Sequence, residues 1–591
     1  MSSAGPGGAT QRDRPAFEVK AAGTTLAPIV AADVIEVDVH EELGRHGRLT
    51  LLVQNWDADQ RRVRHSDNGP FTPGTAVAVA LGYHSDLTTV FDGVVASVTA
   101  HFPAGGNPVL RVEGRSRSVL LDHPPRSRQL EDVTDADIAA AIAADYSLGT
   151  DAQAGAQHAS WVGDRISDWE ALTRRADELG WVVYVRGTTL VLRPPAPPQN
   201  PIALDWTQSL VEVQLTQDLT RAIDSAVGVA WDLDGLAAAE SEEGGRASGI
   251  DVGNRPTHDA ALSAAGWPLR TARLESPAIG GADEADLRAV GAQRVAALAH
   301  VHGRGVVIGD PKLRCDGWVS IAGAGDRLSG PHYVTATRHR LSARGYRTEF
   351  QVGLPPRLLP PAAARPGSAT MAGADCAGTS ALASGVVEAL DDPEAQNRVR
   401  VRLPWRADAG AGVWARVASL DAGDGYGAVV VPSVGQEVLV GFVDGDPAAP
   451  VVLGALYNGT QQPPLVVDPK TNAVRALVSP EGHTVRLEDG AASAVTVASG
   501  QGHSIVVDDK GSAVVLTHKD SGNSIRLSGK GIELTAAQGD ISLTSSAGTI
   551  SLDALKLEAK ASGPSKIESS ATFDLKAAGS LGLKGALITI N

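Results

Sequence analysis

The stretches GHTVRLEDG at 482–490, GHSIVVDDKG at 502–511 and GNSIRLSGKG at 522–531 repeat a Gly-(His/Asn)-(Thr/Ser)-(Val/Ile)-x-(Leu/Val) unit at a fixed step of twenty residues. Beyond them the chain alternates apolar and polar residues in short segments: Ile532–Thr535, Asp540–Thr544, Thr549–Leu552, Leu555–Glu558, Phe573–Lys576 and Leu587–Ile590, with Gly, Ser and Ala between. Regular period-2 strands with small turns signal a stacked β architecture, a rod rather than an enzyme domain. Each segment offers few inward apolar side chains: Val485 and Leu487, Ile505 and Val507, Ile525 and Leu527, Ile541 and Leu543. That is too little to close a core round one chain, and the strand edges stay unpaired. Three chains wound together bury these eight residues on a common axis, so a homotrimer is expected. A monomeric β-helix of the lyase type is the alternative, but such helices use longer coils and stacks of Asn and aromatics.

Outward from the rod, the 591 residues are enough for several domains with cores. The formal net charge of −16 argues against sequence-independent binding to nucleic acid, and no basic patch is evident. Cys315 and Cys376 stand far apart without ligand-type neighbours and read as reduced bystanders. The opening MSSAGPGGATQRDRP lacks the apolar core of a signal peptide, and no apolar run reaches the roughly eighteen residues of a membrane span.

The organisation expected along the chain begins with a disordered start (1–15) and a β-barrel (16–125) built from strands such as FEVKA, VIEVDVH and GRLTLLVQN. An α/β insertion (126–195) follows. In it Thr134 or Asp135 opens one helix, and a capping box from Ser167 to Glu170 opens another that ends at Gly180. A second barrel (196–354) contains a polar excursion near 234–254 and a helix around 285–300. Then come a Pro/Ala/Gly linker (355–384), a five-strand barrel of the oligosaccharide/oligonucleotide-binding (OB) type (385–460) read from GVVEALDD, NRVRVRLPW, WARVASL, GYGAVVVPSVGQEVLVGFVDG and APVVLGALYNG, a connector (461–480) and the rod (481–591).

The strings VRVRLPW, WARVASL and GYGAVVVPSVGQEVLVGFVDGDPAAPVVLGALYNG, together with the Gly-(His/Asn)-(Thr/Ser) repeat, resemble the VgrG family, the spikes of type VI secretion and of extracellular contractile injection systems. RISDWEALTRRADELGWVVYVRGTTLVLRPP and LSGPHYVTATRHRLSARGYRTEF are similar to that family's hub, and to the hub and spike of contractile-tailed phages. The resemblance runs from about Phe17 to Asn591. It implies a mainly β homotrimer with two hub β-barrels and a small α/β insertion, an OB-fold neck, and a needle of intertwined triple-stranded β-helix. It also implies a structural, non-enzymatic role and assembly in the cytoplasm within a particle that stays inside the cell or is released. The implied partners are further copies of the chain, an inner tube protein, baseplate proteins, a PAAR-type tip protein, effector cargo and, on firing, a target membrane. Leu587, Ile588, Thr589, Ile590 and Asn591 are the expected docking platform for the tip protein. About twenty residues separate Gly459 from the first repeat, too few for the enzymatic insertion some relatives carry there. A tail-associated glycan hydrolase or lyase, or a glycan-binding β-helix, is the rival reading.

No catalytic residue, cofactor or metal is expected. Asp391–Asp392, Asp444–Asp446, Glu488–Asp489 and Asp508–Asp509 sit beside Gly, Pro or Asn, where Asp caps turns, and adjacent residues in a strand point apart. His483 and His503 occupy equivalent repeat positions and would form rings of imidazoles in a trimer, but the third repeat carries Asn523, which favours a surface turn. GAGDRLSG at 323–330 lacks the Lys-Ser/Thr ending of a phosphate loop and reads as a hairpin turn.

Overall fold

The structure is a computed structural model and describes residues 14–67, 69–220, 222–232, 237–241, 257–268, 271–275, 281–354, 382–403 and 412–590. The expected disordered start (but for residues 14 and 15), most of the linker with Cys376, most of the polar excursion, and Asn591 lie outside the described residues. The chain divides into two units, 1–461 and 462–591, each taken by itself.

In the first unit strict alternation makes strands with one buried face: Leu49, Leu51 and Val53 along Arg48–Gln54 have no exposure, while the residues between them face outward. Thirteen strands join in one sheet. One half, from Val34–Glu42 to Pro15–Ala21, curls round Val39, Leu49, Leu51, Val79 and Leu81. The other half, built on Val301–Ile308, Gly317–Ala322, Gly330–Ser342 and Gly345–Val352, curls round Leu313, Val319, Val334 and Phe350. The halves are not separate sheets. Gly330–Ser342 pairs with Val34–Glu42, from Ala336 opposite Glu42 to Ser342 opposite Glu36. His339 lies fully buried in this seam, its Nδ1 at 2.9 Å from the Tyr346 hydroxyl and 3.0 Å from that of Thr348. The GAGDRLSG segment turns between Gly317–Ala322 and Gly330–Ser342, which pair directly.

The insertion carries two helices. Thr134 opens Asp135–Asp145 with a reciprocal capping box, its side chain accepting from the N–H of Asp137 while the Asp137 carboxylate accepts from that of Thr134. At Asp168–Leu179 only half of the expected box forms. Ser167 Oγ accepts from the Glu170 N–H, but the Glu170 carboxylate turns to Arg174 one turn on. Gly180 ends this helix at φ +58°. A further helix, Ala282–Ala299, covers the expected 285–300 and packs on a three-stranded sheet of Ser225–Asp232, Ala237–Glu240 and Thr271–Glu275. The helices meet through glycines: a Cβ on Gly291 would stand 2.2 Å from the Leu179 carbonyl oxygen. Beside them Arg175 is buried, donating to Asp135 at 2.6 Å and to Glu284 at 2.7 Å.

Leu382–Ala389, Val399–Arg402, Val413–Val417, Pro450–Ala455 and Glu437–Phe442 close a five-stranded barrel over Val387, Val399, Val401, Ala415, Val438, Val440 and Val452. The GYGAVVVP stretch, expected to be barrel strand, is not. Left-handed Gly425 and Gly427 fold its start into a projecting hairpin, and regular strand resumes only at Glu437.

The second unit opens with seven strands of five residues each, Val474–Val478, Thr484–Glu488, Ala494–Ala498, Ser504–Asp508, Ala513–Thr517, Ser524–Ser528 and Gly531–Thr535. They form an antiparallel meander without a register shift. One twenty-residue repeat is therefore two strands, out and back. Among the described residues, the segments expected as strands beyond Thr535 form no ladder with any other segment.

Candidate assembly interface

The repeat motif is a turn device. His483 Nδ1 accepts the backbone N–H of Gly500 at 3.2 Å, His503 Nδ1 that of Lys519 at 3.2 Å, and Asn523 Oδ1 that of Gln538 at 3.1 Å. The preceding glycines, Gly482, Gly502 and Gly522, take positive φ, which places the next residue over the following turn. His503, His518 and Asp520 bring one ligand-type atom each within 4.8 Å. The hydrogen bonds disfavour a metal there. Backbone N–H groups donate to Nδ1 of His503 and of His518, so the neutral rings carry their proton on Nε2 and offer no lone pair outward.

Most of the paired carboxylates are likewise committed, and the Asp444 side chain lies outside the described residues. Asp508 accepts from the Gly511 N–H, Asp509 from Ser493, Asp489 from Arg475, and Asp446 from the Ala448 N–H. Asp392, its side chain nearly covered, accepts two bonds from the Arg398 guanidinium and further bonds from the N–H groups of Glu394, Gln396 and Arg398, which hold its carboxyl well below the usual range.

What the second unit leaves uncovered is one whole sheet face. Val485, Leu487, Ile505, Val507, Ile525 and Leu527, expected on the axis, all lie on it. Cross-strand partners on the returning strands complete it: Leu477, Val495, Val497, Val514, Leu516, Ile532 and Leu534. These thirteen side chains are between 37% and 74% exposed, and every strand contributes to the stripe. The returning strands escaped the sequence reading because they lack the Gly-(His/Asn) signature. Their alternation, AVTVA and AVVLT, was the available signal. Ile541 and Leu543 are exposed outside any strand, as are Leu587, Ile588, Thr589 and Ile590, while Asn591 is outside the described residues. A contiguous exposed apolar face of this kind marks an interaction surface.

Among the described residues no helix is long and apolar enough to cross a membrane. Residues 11–343 match the family model of the Alg8 N-terminal domain, and residues 383–457 that of the type VI secretion system/phage-baseplate injector OB domain. Over 101 residues the chain is 41% identical to the type VI secretion system spike protein VgrG4b of Pseudomonas aeruginosa, a match covering 16% of this chain and 12% of that relative. Over 104 residues it is 36% identical to spike protein VgrG3 of Vibrio cholerae, covering 16% and 10%. The matched stretch is thus about a tenth of the length of these relatives. A chain of the Francisella PdpA-VgrG complex superposes with a TM-score of 0.50 at 8% identity over 88% of each chain, a likeness of fold. With the first of these family models matching more than half its length, the chain belongs to the family of the Alg8 N-terminal domain, and its injector OB domain and its matched stretches make it similar to VgrG spike proteins.

Proposed function

We propose that three copies of this chain form the hub and spike of a contractile injection particle. The observation that carries this reading is the apolar face of the seven-strand meander. Three such faces, turned inward, cover one another, and each side chain, already about half covered, would gain about 1 kcal/mol on leaving water. Beyond Thr535 the described residues form no strand, and strands of two further copies would supply the ladder hydrogen bonds. The hub seats the trimer on the inner tube and baseplate, and sheath contraction drives the needle through a target envelope. Its role is mechanical: a narrow rod whose backbone groups are all bonded has no loop to buckle or snag. The exposed Leu587, Ile588 and Ile590 form the docking platform for a tip protein, and cargo rides on the tip or spike.

Sedimentation equilibrium of the full chain tests the reading. A trimer at micromolar concentration is expected, and a folded monomer under the same conditions refutes it. Assays of the purified chain on peptidoglycan and capsular glycans address the hydrolase alternative, and no turnover is expected.

A further inference from the structure

The five-stranded barrel carries two surfaces that complement each other and that form no ion pair with one another among the described residues. The first is the projecting hairpin. From Ala418 to Gly427 every residue is exposed, and the short strands Ala422–Gly423 and Tyr426–Gly427 pair only with each other. The hairpin is nonetheless built to hold its shape. The Ala428 N–H bonds the Asp421 carbonyl at 2.9 Å, and the Tyr426 ring lies where a Cβ on Gly423 would stand 2.3 Å from its Cζ. It presents Leu420, Tyr426, Val429 and Val430 to solvent, Leu420 at 98% exposure. It also carries the carboxylates of Asp421 and Asp424, neither of which meets a cation among the described residues.

The second surface is the outer side of the adjacent strands Val399–Arg402 and Val413–Val417. Val399, Val401, Val413 and Ala415 fill the barrel, so alternation turns Arg400, Trp414 and Arg416 outward. Arg400 stands directly opposite Trp414 across the ladder, its guanidinium 5.7 Å from the indole. The flanking arginines are neutralised, Arg398 by Asp392 and Arg402 by Glu388. Arg400 and Arg416 meet no carboxylate among the described residues, and Arg400 Nε is buried without an acceptor.

We infer that the hairpin of one copy docks on the Arg400–Trp414–Arg416 face of the next, with Asp421 and Asp424 against the two free guanidiniums and the apolar hairpin residues over the indole. This rests on the homotrimer proposed above. Two acids meet two arginines, and a hairpin-to-face contact is heterologous, so it closes into a ring when each copy turns by a third of a circle. Arginine–carboxylate contacts fix register and direction, which a purely apolar contact does not.

The test uses carbodiimide, which joins an amine only to a carboxylate in contact with it. Full-length chains carrying Arg400→Lys or Arg416→Lys place amines on the face at little risk to the fold. The expected result is covalent dimers and trimers whose linked peptides pair residue 400 or 416 with Asp421 or Asp424. These links should be missing from the parent and from variants that add Asp421→Asn and Asp424→Asn. A parent that sediments as a trimer while the lysine variants yield no such link overturns the docking and leaves the trimer standing. A monomeric parent overturns both.

Discussion

Asn523 holds, in the third repeat, the place that His503 holds in the second: each accepts one backbone N–H of the following turn, from Gln538 at 3.1 Å and from Lys519 at 3.2 Å. Imidazole Nδ1 and amide Oδ1 lie the same number of bonds from the backbone, so either closes the turn. His503→Asn is therefore expected to leave the meander as stable as the parent, and His503→Ala to cost about 1 kcal/mol per chain, the net worth of one hydrogen bond. Thermal melting followed by circular dichroism distinguishes the two. Adding zinc or a chelator should leave the melting point of either unchanged. A zinc-dependent rise lost in His518→Ala would restore the metal reading.

The two faces of the meander should answer differently to charge. Val497→Asp places a carboxylate on the apolar stripe, where three copies would bury it at one level without partners, and it should abolish trimers in sedimentation runs. Thr496→Asp, one residue away on the opposite face, should leave the trimer intact. Equal loss from both would mean that the stripe is not the contact.

Burial lowers the pKa of His339 to about 4, with Arg314 adding to the effect, so the ring stays neutral in the fold. Unfolded, it titrates near its ordinary value of 6.5. Between these values the unfolded state binds the extra proton, so stability falls as pH drops from about 6.5 towards 4. The slope from this one group is about 1.4 kcal/mol per pH unit. Burial also depresses His40 and His46, which add to the slope. His339→Gln should remove one proton's share of it in denaturant titrations across this range. An unchanged slope would mean that the seam opens to water before the hub unfolds.

Much of this architecture was readable because alternation and turn residues act locally. The barrel strands and the Gly180 cap are set by neighbours within a few residues. Other features turn on a competition between partners that the local pattern does not decide. Glu170 fits the capping-box pattern, yet Arg174 competes for it, while Asp137 completes the box that Thr134 opens. The apolar content of GYGAVVVP suggested a barrel strand, whereas two left-handed glycines and the lack of a barrel neighbour leave it as an exposed hairpin. The residues expected on an axis make up about half of the apolar face, because the Gly-(His/Asn) signature marks outgoing strands only, and Val495, Val497, Val514 and Leu516 on the returning strands carry no tag beyond alternation.

The joint between the insertion and the second half of the hub gives the sharpest stability test. Gly to Ala inside a helix ordinarily stabilises by about 1 kcal/mol, because glycine loses more backbone freedom on folding. Gly291 lies within Ala282–Ala299, so propensity alone predicts a gain for Gly291→Ala. The contact predicts the reverse. The new Cβ would stand 2.2 Å from the Leu179 carbonyl oxygen and 3.0 Å from the Gly180 nitrogen, backbone atoms that cannot rotate away. To make room the helices must separate, which loosens the ion pairs that buried Arg175 makes across the joint to Glu284 and within the insertion to Asp135. Overpacking of this kind costs about 1–3 kcal/mol, more than the propensity gain. Gly291→Ala should therefore lower the denaturant midpoint of the full chain, while Gly291→Ser should be worse still. A rise in midpoint for Gly291→Ala would show that the two backbones do not approach this closely.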